Sequence, residues 1–299
     1  MKDYQFKAVI FDLDGVITKT ALVHSAAWKK MFDEYLQDRA KQLNETFKEF
    51  THTGDYLPYV DGKPRSKGVQ SFLESRGIIL PMGDPNDAPG YNTVCALGNR
   101  KNEAFNEVLE RDGVEVYHST VSLIYELRRN NIRVGVASSS KNCEEVLRKA
   151  GILNLFETRV DGVVSAEMGL KGKPEPDIFT VAAKNLGVEV YESVVVEDAV
   201  SGVQAGNKGN FGLVLGIARE ENEQELLANG ADWVVKDLDE INGIEGIENW
   251  FAKGLNDDNW SITYHDYEPS REKLRESLLT VGNGIFGSGG QSYRWDEVR

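Results

Sequence analysis

An apolar run, Ala8-Val9-Ile10-Phe11, ends abruptly in Asp12-Leu13-Asp14-Gly15, and this junction constrains the chain more than any other feature. Side chains alternate along an extended backbone, so Asp12 and Asp14 point to the same side as a strand gives way to a loop. Two carboxylates held together repel unless a positive charge offsets them. A Mg2+ ion does so and leaves one carboxylate free to attack a phosphorus atom. Taken alone, the tetrapeptide is also an ordinary polar strand end followed by a turn.

Three further segments supply what such a carboxylate needs. Val134-Gly135-Val136-Ala137 reads as a buried strand running into Ser138-Ser139-Ser140-Lys141-Asn142, where hydroxyls and backbone N–H groups just before a helix receive a phosphate well. Lys173 precedes Pro174-Glu175-Pro176-Asp177, so proline stiffens the loop holding a cation that neutralises phosphoryl oxygens. Val194-Val195-Val196 delivers a second acidic pair, Glu197-Asp198, to a strand end. Each segment has an ordinary reading: a helix cap, a solvated lysine, another cap. Together those readings require four strand-end coincidences in the right order.

The blocks FDLDGVIT, VASSSKN, KGKPEPDIF and VVVEDAVSGVQAG resemble the haloacid dehalogenase-like phosphotransferases, and within them the β-phosphoglucomutase-like branch, over about residues 5 to 240. The resemblance implies that Asp12 is a nucleophile forming an aspartyl-phosphate and that Asp14 is the general acid/base. It makes Ser138 and Lys173 a phosphate clamp. It makes Asp198 a Mg2+ ligand beside Asp12 and the Asp14 backbone carbonyl, with Glu197 supporting the ion directly or through water. Ser140, Lys141 and Asn142 fall at substrate-binding positions of the second block. Thr20, His24 and Trp28 match the place where a mobile cap joins the core, His24 beside the catalytic acid. Arg65, in Tyr59-Val60-Asp61-Gly62-Lys63-Pro64-Arg65, matches the arginine that holds a second, non-reacting phosphate, and Lys101 and Asn102 match substrate-facing cap positions. Lys19 departs from the pattern, standing where an acidic residue is common.

Coarse periodicity agrees with an α/β class. A helix is expected from about His24 to Gln37, then helical and loop-rich sequence to about residue 110. Val121, Ile124 and Leu127 mark one helix face before the strand Arg133 to Ala137, and Val146-Leu147 lies on the next helix, ending near Gly151. Short apolar runs recur at Val163-Val164, Val194 to Val196, Leu213 to Ile217 and Trp233 to Val235. Such alternation predicts a doubly wound, mostly parallel, Rossmann-like sheet with ligands beyond the carboxyl ends of its strands. The expected division is core at 1–20, inserted helical cap at 21–112, α/β core at 113–245 and a C-terminal extension at 246–299.

Charge narrows the function. Lys and Arg total 34 against 48 Asp and Glu, a balance of 34 − 48 = −14, which disfavours nucleic acid or anionic membrane as a partner. An anionic phosphate ester then needs local cations, and Lys173, Arg65, Lys101 and Mg2+ are the candidates. Cys95 and Cys143 lack metal-ligand spacing, and a disulfide between them is not expected. The N-terminus enters the first strand at once and no segment has the length of a membrane span, so the cytoplasm is the expected location.

The tail carries a separate signal. Tyr267-Glu268-Pro269 and Glu276 to Gly287 resemble the opening of disaccharide phosphorylases acting on maltose, trehalose and related sugars, apart from Gly289 where an arginine is usual. The resemblance implies the truncated start of such a domain and functional pairing with a phosphorylase. Gly282-Asn283-Gly284-Ile285-Phe286-Gly287 also fits G-x-G-x-x-G, but no βαβ unit follows, so no nicotinamide or flavin site is expected. The last 15 to 20 residues are expected to be the least ordered.

The expected activity is Mg2+-dependent phosphoryl transfer on a sugar phosphate, β-glucose 1-phosphate to glucose 6-phosphate. Release of the phosphoryl group to water, by a sugar-phosphate phosphatase, is the alternative. A non-catalytic sugar-phosphate-binding module is the third reading, although Asp12, Asp14, Lys173 and Asp198 are all present.

Overall fold

The structure, a computed structural model, describes residues 3–256, 285–288 and 291–294. The chain divides into two units, residues 1–248 and 249–299. In the first, β1 (Ala8–Phe11) is followed by four helices: α1 (Ala21–Leu43), the single turn α2 (Leu57–Tyr59), α3 (Arg65–Ser75) and α4 (Val94–Asp112). The chain then returns through α5 (His118–Arg129), β2 (Arg133–Ala137), α6 (Cys143–Lys149), β3 (Thr158–Val160), α7 (Gly162–Met168) and α8 (Asp177–Leu186). It finishes with β4 (Ser193–Glu197), α9 (Val200–Lys208), β5 (Leu213–Ile217), α10 (Glu223–Ala228), β6 (Trp233–Val235) and α11 (Gly243–Asn256), which runs across the unit boundary.

The six strands form one sheet in the order β3-β2-β1-β4-β5-β6, every neighbouring pair parallel. This is the doubly wound arrangement, and its order reverses beside β1, where a crevice opens at the carboxyl ends. β1 and β4 are buried throughout, as strands covered by helices on both faces must be. On one face Phe179, Ala182 and Leu186 of α8 pack with Ile10 and Val195. The sheet itself thus fixes the strand ends that carry Asp12 and Glu197: Ile10 pairs with Val195 and Phe11 with Val196.

Helices α1 to α4 form the inserted cap and own a separate aromatic core. Phe32 stacks on Trp28 and Phe50 at centroid distances of 5.4 and 5.0 Å and lies 4.2 Å from Phe72. Helix α1 runs beyond the expected Gln37 because its apolar stripe stops at Leu36 while good helix formers continue, Gln42 donating to Asp38 at 2.7 Å, until Asn44 adopts the left-handed conformation (φ 54°).

Two expectations need correction. Val163-Val164 is no strand: Asp161 accepts from both of their N–H groups, at 2.9 and 3.0 Å, and starts α7, so a good cap outweighs β-branched propensity. The strand is Thr158–Val160. On α5 the buried stripe is Thr120, Leu123, Ile124 and Leu127, with Val121 only partly covered.

Expectations for the tail fall largely outside the described residues. Those described there include an antiparallel pair, β7 (Ile285–Ser288) with β8 (Gln291–Arg294). Among the described residues no helix is long and apolar enough to cross a membrane.

Because Phe72 is fully buried against two rings, Phe72→Ala is expected to cost about 3–5 kcal/mol by urea unfolding.

Candidate active site

Asp12 continues the β1 ladder by donating its N–H to the Val196 carbonyl at 2.9 Å, which places it at the crevice. The chain then turns sharply, Ile17 and Thr18 both donating to the Leu13 carbonyl at 2.9 Å. Gly15 lies at φ +87°, and a Cβ there would fall 1.7 Å from Asp198 Oδ2. Only glycine lets the Asp198 carboxylate rest against this backbone.

Lys173 is the hub. Its ammonium, with the residue 3% exposed, donates to Asp12 Oδ1 at 2.5 Å and to Glu197 Oε1. The other Glu197 oxygen accepts the N–H groups of Asp198 and Ala199 at 2.9 and 2.8 Å. Gly202 makes room for this: a Cβ there would sit 1.8 Å from Glu197 Oε1. Burial alone would depress the Lys173 pKa, but Asp12 and Glu197 override it and hold the ammonium protonated.

Acid nonetheless exceeds base. The cleft is lined by Asp12, Asp14, Asp61, Glu197 and Asp198. Burial pushes the Asp12 carboxyl well up, with the charges of Glu197 and Asp14 adding to it against Lys173. Asp198 is likewise raised well above the usual range, by burial and then by Glu197, Asp61 and Asp12. Among the described residues no three His, Cys, Asp or Glu side chains form a ready-made metal cage. That suits Mg2+, which binds through one or two carboxylates and keeps waters or phosphate oxygens for the rest. Asp12 and Asp198, the raised pair in surplus over Lys173, fit as its carboxylate donors. Glu197, expected to support the ion directly or through water, here spends one oxygen on Lys173 and the other on the Asp198 and Ala199 N–H groups.

Asp14 sits in a different environment. Burial raises its pKa, but His24, Thr20 and Lys101 prevail and hold it below the usual range. The Thr20 hydroxyl donates to Asp14 Oδ1, and His24 Nε2 lies 3.2 Å from the same oxygen. Lys101 Nζ is 2.5 Å from His24 Nδ1, so an ammonium there makes Nδ1 the acceptor and leaves the ring proton on Nε2, facing Asp14. Burial lowers the pKa of both His24 and Lys101. Lys101 also lies 5.1 Å from the Trp28 ring and 4.7 Å from the Phe105 ring.

The opposite wall is the loop after β2. Ser138 is fixed by its N–H to Val160 O at 3.0 Å, and its hydroxyl accepts from Ser140 N at 3.0 Å. Ser140 Oγ accepts from Asn142 N at 3.2 Å, leaving both hydroxyl protons to donate elsewhere. Asn142 Nδ2 donates to Asn102 Oδ1 at 2.7 Å, and Arg65 Nη2 donates to that oxygen at 2.7 Å. Arg65 Nη1 reaches Asn99 Oδ1 at 3.3 Å. Among the described residues, the hydrogen-bond partners of Arg65 at the cleft are neutral amide oxygens only, and burial lowers its pKa to about 10.

Asp12, Asp14, His24, Arg65, Lys101, Ser138, Ser140, Lys141, Asn142, Glu197 and Asp198 all line one cleft, with Lys173 behind Asp12. Thr20 and Asn102, both expected to bind substrate, stand just behind the lining: the first donates to Asp14, the second ties Arg65 to Asn142. Lys19 is remote from this chemistry, paired with Glu115 at 3.1 Å. Asp61 and Tyr56 join the lining unannounced. Burial first, then Glu197, raises the Asp61 pKa to about 6 even though the Tyr56 hydroxyl donates to it. The sequence signal for Asp61 is the Asp61-Gly62 turn, with Gly62 at φ 68°.

The cap stands closed. Ser139 Oγ donates to Gly62 O at 2.8 Å, Ser201 Oγ donates to Asp61 O at 3.1 Å, and Gly172 packs against Pro64. The cavity beneath is about 70 Å³, room for on the order of five waters and too small for a phosphorylated sugar, so the cap must lift to admit one.

Residues 6–210 match the haloacid dehalogenase-like hydrolases, and the chain belongs to that family. It is 45% identical over 238 residues to a β-phosphoglucomutase of Mycobacterium bovis, covering 79% of this chain and 91% of that protein. A Mycobacterium tuberculosis protein described as an uncharacterized glycosyl hydrolase is 38% identical over 231 residues, covering 77% of this chain but 17% of that longer protein. The crystal structure of a β-phosphoglucomutase from Clostridium difficile superposes with a TM-score of 0.63 at 25% identity, over 84% of this chain and 99% of that one.

Lys173→Met removes the cation from two buried carboxylates and is expected to cost about 3–5 kcal/mol at pH 7 in urea unfolding, and less as pH falls, because burial already favours the protonated Asp12 carboxyl. Asp61 predicts a second pH effect. Its folded pKa of about 6 exceeds its ordinary 3.8, so the folded state keeps a proton that the unfolded chain releases. Without divalent cation, stability should therefore fall as pH rises from about 4 to about 6, and Asp61→Asn should flatten that decline in denaturation curves.

Proposed function

We propose that the protein is a Mg2+-dependent phosphomutase acting on β-glucose 1-phosphate in the cytoplasm, with glucose 6-phosphate as product. Arg65 carries this reading. A guanidinium with no counter-ion among the described residues lies at the cap end of a cleft whose other end holds Asp12 and Lys173, so a sugar bearing phosphate at both ends is matched at both. The M. bovis relative's name accords with it.

In the first half, an oxygen of Asp12 attacks phosphorus, the bond from phosphorus to the sugar oxygen breaks, and Asp14 in its acid form protonates that oxygen. In the second half, the Asp14 carboxylate takes the proton of the acceptor hydroxyl as the new ester forms and the Asp12 acyl phosphate breaks. Asp14, held as an anion by Thr20 with the His24 N–H nearby, stands here in the form the second half needs. Lys173 orients Asp12 and, with the free hydroxyl proton of Ser138, faces the phosphoryl oxygens. A Mg2+ ion on Asp12 and Asp198, with the Asp14 carbonyl, would supply charge neutralisation of those oxygens. Arg65 grips the far phosphate, so that the cap closes on a bisphosphate and shuts out water, the competing acceptor. Functional pairing with a disaccharide phosphorylase is part of the same proposal, motivated by the sequence of residues 267–287 alone.

The test supplies β-glucose 1-phosphate, Mg2+ and a trace of glucose 1,6-bisphosphate, and follows glucose 6-phosphate and free phosphate separately. Glucose 6-phosphate is expected. Phosphate release without it makes the protein a phosphatase. Arg65→Ala should lower kcat/KM for the mutase reaction about 10- to 100-fold while changing hydrolysis of a small phosphate ester little; equal loss on both would remove the role given to Arg65.

A further inference from the structure

Arg219, the second residue after β5, has no part in the chemistry above, yet it joins three segments behind the cleft. Its side chain is 15% exposed. Nε donates to the Gly15 carbonyl at 3.0 Å, while Nη1 donates to the Lys236 carbonyl at 2.9 Å and to Asp237 Oδ2 at 2.7 Å. The guanidinium lies 3.7 Å over the Tyr117 ring. Asp237 is held as an anion despite its burial, because Ser119 and Arg219 both donate to it.

These contacts meet the site at its backbone. Gly15 has Arg219 on its carbonyl and the Asp198 carboxylate against its Cα, so the residue that follows Asp14 is gripped from two sides. Tyr117 belongs to the segment by which the chain leaves the cap after α4. Its N–H donates to Ile17 O at 2.9 Å, and Thr18 bridges to Val116. Both segments linking cap and core, the one after Asp14 and the one before α5, therefore lie under one guanidinium.

We propose that Arg219 is a positioning residue for the divalent-cation half of the site: by clamping the Gly15 carbonyl it sets the spacing between the Asp14 peptide and the Asp198 carboxylate, and through Tyr117 it ties that spacing to the linker that carries the cap. The inference rests on the Mg2+ reading of Asp12 and Asp198. Lysine cannot replace the fork, since an ammonium offers no plane to stack on Tyr117 and no fixed pair of donors for Gly15 and Asp237 together.

The test uses the full chain and measures, without substrate, the rise in melting temperature as Mg2+ is added, then the Mg2+ dependence of turnover. Arg219→Ala is expected to raise the Mg2+ concentration at half-effect about 10-fold or more in both measurements, the range typical for losing a group that orients a metal ligand. The KM for sugar phosphate at saturating Mg2+ should move less than about 3-fold. Arg219→Lys should fall between, and Tyr117→Leu should shift the Mg2+ midpoint in the same direction. If Arg219→Ala does not fold, these two variants decide. A lower melting temperature with an unchanged Mg2+ midpoint would make Arg219 a merely structural residue and overturn the proposal. A wild-type protein whose melting ignores Mg2+ would instead overturn the metal reading beneath it.

Discussion

One buried ammonium organises this protein. Lys173 lies between Asp12 and Glu197, at the ends of adjacent strands, and is itself buried. Charges taken out of solvent are tolerated only when paired and hydrogen-bonded, and here every lone pair of Glu197 that the geometry reaches is used. Glycine at 202 exists in the fold to leave space for that carboxylate. One cation does not balance three acids, however, and Asp12 and Asp198 carry the surplus.

The sheet order makes this meeting unavoidable. With β1 and β4 side by side at the point where the winding reverses, their carboxyl ends open toward the same crevice, and the loop after β2 closes its other side. Stable parallel strands thus hold the groups that handle the reacting phosphate. The cap contributes Arg65, Lys101 and His24 from helices with their own aromatic core, so when it moves as a body it carries His24 and Lys101 with it and changes what holds Asp14. Its closure relies on a few hydrogen bonds of Ser139, Ser201 and Asn142, modest enough to break and reform with each ligand.

Division of electrostatics follows from division of structure. Asp12 and Asp14 are two residues apart, yet burial drives the first up while the second is held down by Thr20, His24 and Lys101. Environments that push neighbouring carboxyls in opposite directions are how a nucleophile and an acid/base come to differ.

Much of this was legible in the residues. The limits of β2, β5 and β6 coincide with their apolar runs, because a strand buried on both faces writes itself as uninterrupted hydrophobic sequence. The acids at the ends of β1 and β4 and the serines after β2 could be read off for the same reason. Val163-Val164 misled because a local cap, Asp161, outweighs propensity, and α1 outran its apolar stripe because helices persist on a solvated face.

What only the tertiary structure decided is who touches whom. Residue types and strand ends are local properties, set by alternation and propensity over a few positions. Whether Glu197 faces an ion or Lys173, whether Thr20 and Asn102 meet a ligand or hold Asp14 and Arg65, and that Asp61 enters the cleft, depend on distances between loops far apart in the chain. Those distances are fixed by strand order and by how the cap settles on the core, and no short stretch of sequence contains them.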